Sequence, residues 1–411
     1  MKTFEKIGNK MGPKDKKKVR FTMRKSALMV FSAGIGGAES VVKEVFAHLL
    51  LLKEDIVVIT CDEIADVFRE INPVRVLSIG KLYNNSFFSK GYRFLLYKLC
   101  NKLFKNKDLY NRLLLKKHIK KIAKIICSEN ISIVHAHLMQ AIYCLSKCKT
   151  DAVKMATIHD AHGLDNMGFD ELAYQTVKDM YEQMDIVTAA CNYFFDLFRN
   201  NNINLKMTFI VENGINAAAL KTVIPRNFDA DKFHIIFLGG DREVKGCDYL
   251  EQATKICVKE FKIYNICVHV LRNVSEASSF YHAVVRDGLQ EYFDIVGYVE
   301  GGKHLEYMAA ADLYILPSRT EGAANTLLEA IGLNLCILAT NVGGTPELIE
   351  DGVNGYLAKM DARDIANRIK RLYSDILLRR RLADANKMKS EKYDWNIISE
   401  KYKKIYHCVR K

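Results

Sequence analysis

Proline and tryptophan are scarce in this chain: its 411 residues hold five prolines and one tryptophan, Trp395. So few prolines exclude a proline-rich rod or spacer and leave long stretches free to form helix or strand. Runs of about 18 uncharged apolar residues are missing, which excludes a spanning helix by length. The eleven cysteines contain no C-x-x-C pair and many fall inside apolar patterns, among them Cys127, Cys257, Cys267 and Cys336. Scattered thiols of that kind fit a reduced, cytoplasmic protein better than a disulfide scaffold. Nucleotide fingerprints are incomplete as well. GIGGAE at Gly34 to Glu39 puts a carboxylate where G-x-G-x-x-G requires its third glycine, and GGDREVKG does not fit G-x-x-x-x-G-K-[ST]. Neither a nicotinamide fold nor a P-loop enzyme is expected. A persuasive D-x-D metal pair is missing too, because Asp229 and Asp231 fall in a polar, irregular stretch.

What is present is an alternation. Strand-like runs at Ala27 to Phe31, Ile56 to Thr60, Ile133 to Ala136, Lys154 to Ile158, Ile186 to Ala189 and Phe209 to Val211 are separated mostly by helical patterns. After about residue 215 the series restarts with Ile235 to Leu238, Cys267 to Leu271, Leu313 to Leu316 and Cys336 to Ala339. Such alternation predicts parallel, doubly wound α/β sheets, and the length suits two domains. The irregular segment Asn213 to Asp231, with Pro225, reads as the linker. SALMVFSAGIGG reads as a first core strand rather than a signal peptide, after a basic tail at 1–24 that is expected to be disordered.

The most informative stretch is PSRTEGAANTLLEAIGLNLCILATNVGGTPELIEDGVNG, where Glu321 and Glu329 stand eight residues apart. Eight helical residues would advance about 12 Å, so the two carboxylates are set to contact different parts of an elongated ligand. A glycosidase-type acid and nucleophile pair, about 5 to 9.5 Å apart, is disfavoured. Between them Gly322, Ala323, Ala324, Asn325 and Thr326 are small residues leading into a helix start, where open amides suit a phosphate. The alternative is an ordinary loop with Asn325 as a helix cap.

A second anion-binding candidate is HIIFLGGDREVKG, in which Gly239 and Gly240 let a ligand approach and Arg242 and Lys245 supply cations. In the first half, Gly36 and Gly37 form a turn before a helix, suited to a hydroxyl-rich or anionic ligand or to packing alone. Histidines follow two strands, His135 and His137 in IVHAHLM and His159 and His162 in ATIHDAHG. A histidine at a strand's C-terminal end faces the ligand crevice, and His159 is the best placed. The alternatives are a metal set, whose convergence nothing in the sequence fixes, and for His135 a core position.

Taken in order, GIGGAE, VHAH, TIHD, VENGIN, GGDREVKG, GYVEGGKHLEYMAAADLYILPSRTEG, the E-x7-E pair and GGTPELIEDGVNGYLA resemble a family 4 retaining glycosyltransferase of the two-domain GT-B fold, over roughly Lys25 to His407. The resemblance implies two Rossmann-like domains facing a central cleft, with the amphipathic segment around Trp395 as a terminal helix crossing back to the first domain. It places an acceptor-binding domain at 25–215 plus about 393–411 and a nucleotide-sugar-binding domain at 216–392. It implies catalytic roles for His159, Arg242, Lys245 and Glu321. The donor nucleotide falls by similarity to Gly240, Tyr298, Gly322, Asn325, Thr326, Leu327 and Glu329, and the acceptor side to Gly36 and Gly37. Glu321 would contact the donor sugar and Glu329 the ribose. One departure stands out: the arginine usual after the first glycine is replaced by Gly240, so Arg242 must reach the diphosphate by another path.

The expected reaction is metal-independent transfer, without a cofactor, of a hexose-type sugar from a UDP-sugar in preference to a GDP-sugar, to a hydroxyl of a glycan or lipid-linked acceptor. Cell-surface polysaccharide or glycolipid synthesis is the expected setting. A sugar-nucleotide epimerase of the same fold and a non-catalytic partner subunit are the alternatives. From Lys81 to Lys124 lysines and arginines are interleaved with aromatics, with Asp108 as the lone acid. That segment reads either as a peripheral contact with the anionic inner face of the cell membrane or as a pair of basic surface helices. No nucleic-acid motif accompanies the charge, and no nucleic-acid partner is expected.

Overall fold

The computed structural model describes residues 25–32, 36–82, 107–161, 164 and 171–409. The tail at 1–24, most of the basic segment and His162 lie outside the described residues.

The first sheet has seven strands: β1 (Lys25–Val30), β2 (Ile56–Thr60), β3 (Val76–Ser78), β4 (Ile131–His137), β5 (Val153–Ile158), β6 (Ile186–Ala189) and β7 (Thr208–Ile210), in the order β3-β2-β1-β4-β5-β6-β7. The second has six: β8 (Phe233–Phe237), β9 (Ile266–Leu271), β10 (Phe293–Gly297), β11 (Leu313–Leu316), β12 (Ile337–Thr340) and β13 (Tyr356–Ala358), in the order β10-β9-β8-β11-β12-β13. The strand pairs are parallel. Central strands such as IVVIT in β2 and FHIIF in β8 are buried along their whole length, as helices on both faces require. On β8 the side chains alternate between two cores, with Phe233, Ile235 and Phe237 on one face and Ile236 and, just beyond the strand, Leu238 on the other. The expected pair of doubly wound domains is therefore the observed one.

Both sheets reverse their winding beside the first strand, between β1 and β4 and between β8 and β11. These are the points where an open parallel sheet leaves a crevice at its carboxyl edge. The loops after β1, β4, β8 and β11 leave strands beside those two points, and the loop carrying His159 follows β5, the next strand out from β4.

The helix Trp395–Val409 returns to the first domain. Its Trp395, Ile398, Tyr402, Ile405 and Tyr406 share one core with β1 to β6, at the three- and four-residue spacing of one helix face. Burying a side chain of this size contributes about 1.5–3 kcal/mol, so the helix is fastened by several such terms. Where it enters, Ile215 N–H donates to Tyr393 O (2.7 Å) and Trp395 N–H to Ile215 O (3.1 Å). Linker and returning chain thus meet as one short parallel bridge. Gly214 is required there, since a Cβ would lie 2.4 Å from the Trp395 ring.

Candidate functional site

A cavity of about 270 Å³ lies between the domains, lined from the first by Gly37, Ala38, Val41, His159 and Asn213 and from the second by Gly239, Arg242, Lys245, Arg272, Ala324, Asn325 and Thr326, among others. The glycine loops, the two cations, the histidine and the helix start therefore converge.

On the second domain two strand-end loops are locked together. Gly246 has φ +74° and its Cβ position lies 1.8 Å from Pro317 O, so only glycine lets the loop after β8 pass the loop after β11. Arg319 N–H donates to Val244 O (2.9 Å), and its guanidinium makes a two-pronged pair with Asp248 at 2.7 Å on each side. The Asp248 carboxyl is held below its usual range, first by the Arg319 hydrogen bonds. With these loops fixed, Lys245 Nζ donates to Glu321 Oε1 at 2.6 Å, and Ser318 Oγ donates to the same oxygen at 2.7 Å. Glu321 is 8% exposed and does not itself line the cavity, whereas its partner Lys245 does.

Arg242 lines the cavity while its Nε contacts Gly239 O at 3.4 Å, so it reaches the cleft two residues beyond Gly240. Gly240, at φ +60°, sits over Asn273 O, 2.5 Å from its Cβ position, where no side chain fits. The third cation, Arg272 at the end of β9, was not foreseen. Its φ of +82° is unusual for a residue with a side chain, and backbone strain of this kind clusters at functional sites. The sequence offered only the polar pair Arg272-Asn273 after an apolar strand. Arg272 also lies 5.8 Å from the Tyr298 ring, and Tyr298, 58% exposed, is not among the residues lining the cavity.

The helix Asn325–Gly332 begins where expected. At a helix start the amides of Asn325 and Thr326 have no partner within the helix. Leu327 departs from expectation: its side chain is buried and its amide donates to Ala324 O at 3.0 Å, so it is taken up by the fold. The Asn325 side chain spans the domains, accepting from Asn213 Nδ2 (2.8 Å) and donating to Gly37 O (3.2 Å). Beyond this seam is a second cavity of about 200 Å³, lined by Glu329, Ser40, Glu44 and Trp395, with Val41 and Asn325 common to both. Glu329 points there with His304 Nε2 at 3.2 Å. Gly322 packs on Phe194 of the first domain, 2.1 Å from its own Cβ position to the ring.

On the first domain Gly36 precedes the helix Gly37–Leu51, and Glu39 folds back to accept from Gly36 N–H at 3.0 Å. The carboxylate that broke the nucleotide fingerprint thus fills the helix N-terminus itself, which disfavours an anion there and leaves a hydroxyl-rich ligand. His159 follows β5, and its Nε2 lies 2.9 Å from His137 Nδ1. His137 is fully buried, and burial pushes its pKa well below the ordinary value, so it is neutral. Its Nε2 has no hydrogen-bond partner. Leaving a lone pair unmet costs less than burying an unmet N–H, so the proton belongs on Nδ1 and is donated to His159. His159 must then carry its own proton on Nδ1. Among the described residues these histidines do not form a metal-ligand set.

Residues 232–375, most of the second domain, match the family model of Glycosyl transferases group 1. An uncharacterized glycosyltransferase of Methanocaldococcus jannaschii, MJ1178, is 25% identical over 70% of this chain and 78% of its own length. The phosphatidylinositol N-acetylglucosaminyltransferase GPI3 subunit of Saccharomyces cerevisiae is 22% identical over 69% of this chain, an alignment that spans 65% of the yeast protein. Among solved structures, Anabaena Alr3699/HepE in complex with UDP aligns with a TM-score of 0.73 at 16% identity, over 94% of this chain and 100% of that one.

Proposed function

We propose, from the premise that this chain is a glycosyltransferase with the GT-B fold, that it moves a hexose-type sugar from a nucleoside diphosphate sugar to a hydroxyl of a glycan or lipid-linked acceptor, with retention of configuration. The observation that carries this reading is the convergence of Arg242, Lys245 and Arg272 on one cavity at the start of the helix Asn325–Gly332. A departing diphosphate gains negative charge as the glycosidic bond breaks. Fixed cations and helix amides aimed at that charge stabilise the transition state more than the ground state. Three cations supply this without a metal ion, and we take the transfer to be metal-independent.

Retention is supported by what Glu321 does. Its carboxylate is held by Lys245 and Ser318, which makes it a poor nucleophile and a good partner for sugar hydroxyls. Attack from the face of the departing phosphate, with that phosphate taking the acceptor proton, then needs no enzymic nucleophile. His159, fixed as an Nδ1–H donor by His137, would hold the sugar from the opposite domain. Glu329 beyond the Asn325 seam would take the ribose. The UDP preference draws support from HepE, a structural neighbour solved with UDP-glucose. The lipid-linked acceptor draws support from the yeast relative, whose name specifies phosphatidylinositol.

For membrane contact, the helix Lys107–Ser128 buries Leu115, Ile122 and Ile126 and turns Lys116, Lys117, Lys120, Lys121 and Lys124 outward. Its apolar face is already used, so we assign this helix an electrostatic attraction to anionic lipid rather than insertion.

Thermal-shift titration with UDP and GDP tests the donor site, with UDP expected to raise the melting temperature more. If neither nucleotide shifts it, the proposal fails. With a UDP-sugar that is turned over, proton NMR of the first product should show the anomeric configuration of the donor.

A further inference from the structure

Three side chains outside the cleft converge in a way that the transfer chemistry does not use. His234 on β8 is the register partner of Cys267 on β9, and His269 follows two residues later, so all three project from one face of the second sheet. One potential ligand atom from each, two ring nitrogens and the sulfur, lie within 4.8 Å of one another. His234 and His269 are 5% and 4% exposed.

The outer nitrogen of each ring is already committed. His234 Nε2 lies 2.7 Å from the carbonyl oxygen of Asp229, and His269 Nδ1 lies 2.8 Å from Asp294 Oδ2. A carbonyl and a carboxylate only accept, so both outer nitrogens carry hydrogen. The inner nitrogens, His234 Nδ1 and His269 Nε2, then face each other at 2.9 Å. Two neutral rings in these tautomers would oppose two lone pairs. Something positive must lie between them, either an extra proton or a metal ion.

We propose that His234 Nδ1, His269 Nε2 and Cys267 Sγ bind a zinc ion, with the fourth position left to water. Two imidazoles and a thiolate are a donor set suited to zinc, and N and S ligands at bonding distance from one ion sit about 3 to 4 Å apart, which small side-chain shifts reach from here. Zinc-bound histidines characteristically donate their other N–H to a carboxylate or a carbonyl, and both acceptors stand in place.

The location gives the ion a structural task. His269 lies three residues before Arg272, about 10 Å back along the strand from the cleft, so the ion does not touch the donor. Phe228 of the linker stacks on His269 with ring centroids 4.1 Å apart and planes 7° apart, and the next residue, Asp229, supplies the acceptor for His234. Zinc would therefore pin the end of the interdomain linker to the second sheet and confine hinge motion to residues nearer Ile215.

The test uses the full chain, untagged and stripped of metal, with zinc chloride or cobalt chloride alone as the probe. Wild type should bind one zinc per chain by elemental analysis, unfold at higher temperature with zinc, and show a thiolate-to-metal charge-transfer band with cobalt. Cys267→Ser should lose that band and weaken zinc binding at least tenfold, with an unchanged far-ultraviolet circular dichroism spectrum and unchanged UDP response. His234→Asn should weaken zinc binding similarly and keep a sulfur band at high cobalt. Substoichiometric zinc in wild type, or a cobalt band and zinc affinity that survive in Cys267→Ser, would overturn the proposal.

Discussion

Lys245 Nζ and Glu321 Oε1 lie 2.6 Å apart, and the pair joins the loop after β8 to the loop after β11 at the floor of the cleft. Lys245 is the more exposed partner, with 24% of its side chain accessible against 8% for Glu321, so an arriving phosphate meets the cation first. The ammonium can hold both carboxylate and phosphate, because it has three donors.

Lys245→Met should therefore lower turnover at least about 100-fold, in line with losing one fixed donor to a developing anion. It should also destabilise the fold by up to about 3 kcal/mol, since Glu321 is left buried with Ser318 as its remaining donor. Adding Glu321→Gln should restore much of the stability and none of the turnover. Steady-state kinetics and urea unfolding of the two single variants and the double variant check this. Additive losses in stability would mean that the pair is not coupled.

Gly246 decides whether that pair can form. Gly246→Ala meets both a left-handed φ of +74° and the backbone oxygen of Pro317, 1.8 Å from the new Cβ. Neither yields cheaply, and a loss of about 3 kcal/mol or more is expected. Because the displaced loop carries Lys245, turnover should fall further than UDP affinity. An unchanged melting temperature in the alanine variant would mean that Pro317 does not crowd position 246.

The sequence made the sheet centres legible and hid three of the four edges. Every strand with a buried, β-branched run was read to within about two residues, and the three missed strands are β3, β10 and β13. All three are edge strands, and β3 has no fully buried residue. An edge strand packs fewer neighbours, so its composition carries little pattern. In the cleft, the glycines and Lys245 could be singled out in advance because close backbone approach and a fixed cation each call for a particular residue type. Arg272 could not, because its place in the cleft comes from a backbone turn that no apolar pattern announces. The link of Asn325 to Gly37 and Asn213 was equally hidden, since it depends on how two domains meet.

That meeting has a second anchor in Glu347. Its carboxylate accepts from Asn192 N–H, Asn192 Nδ2 and Tyr193 N–H, each at 2.9 Å, capping the first-domain helix Asn192–Asn200 from the second domain. Glu347→Ala removes a carboxylate from a helix N-terminus and should cost about 0.5–2 kcal/mol. Its larger effect should be on closure. A looser cleft admits water, so donor hydrolysis should rise relative to transfer to acceptor. Measuring free sugar against transferred sugar separates the two, and an unchanged ratio would remove Glu347 from closure.

Acid should loosen the crossing helix before it unfolds the second domain. His135 is fully buried between Tyr406 OH (2.8 Å) on that helix and Thr157 Oγ1 (2.6 Å) on β5. Burial first, then the nearby His159, pushes its pKa down to about 3 from an ordinary value of 6.5. Between those values the unfolded chain binds the proton and the folded chain refuses it. Stability from this group is therefore complete above pH 6.5 and lost as the pH falls below it, by up to about 1.4 kcal/mol per unit. His137 is lowered in the same direction, chiefly by burial, and adds to the slope. His135→Gln replaces one titrating ring by a neutral amide that still offers a donor and an acceptor. Denaturant titrations between pH 5 and 6.5 should show a steep loss of stability in wild type and a clearly smaller one in the variant. Trp395, the chain's single tryptophan, is buried where the crossing helix begins, so its fluorescence follows this element directly. Identical slopes in the two proteins would show that His135 does not govern the acid response.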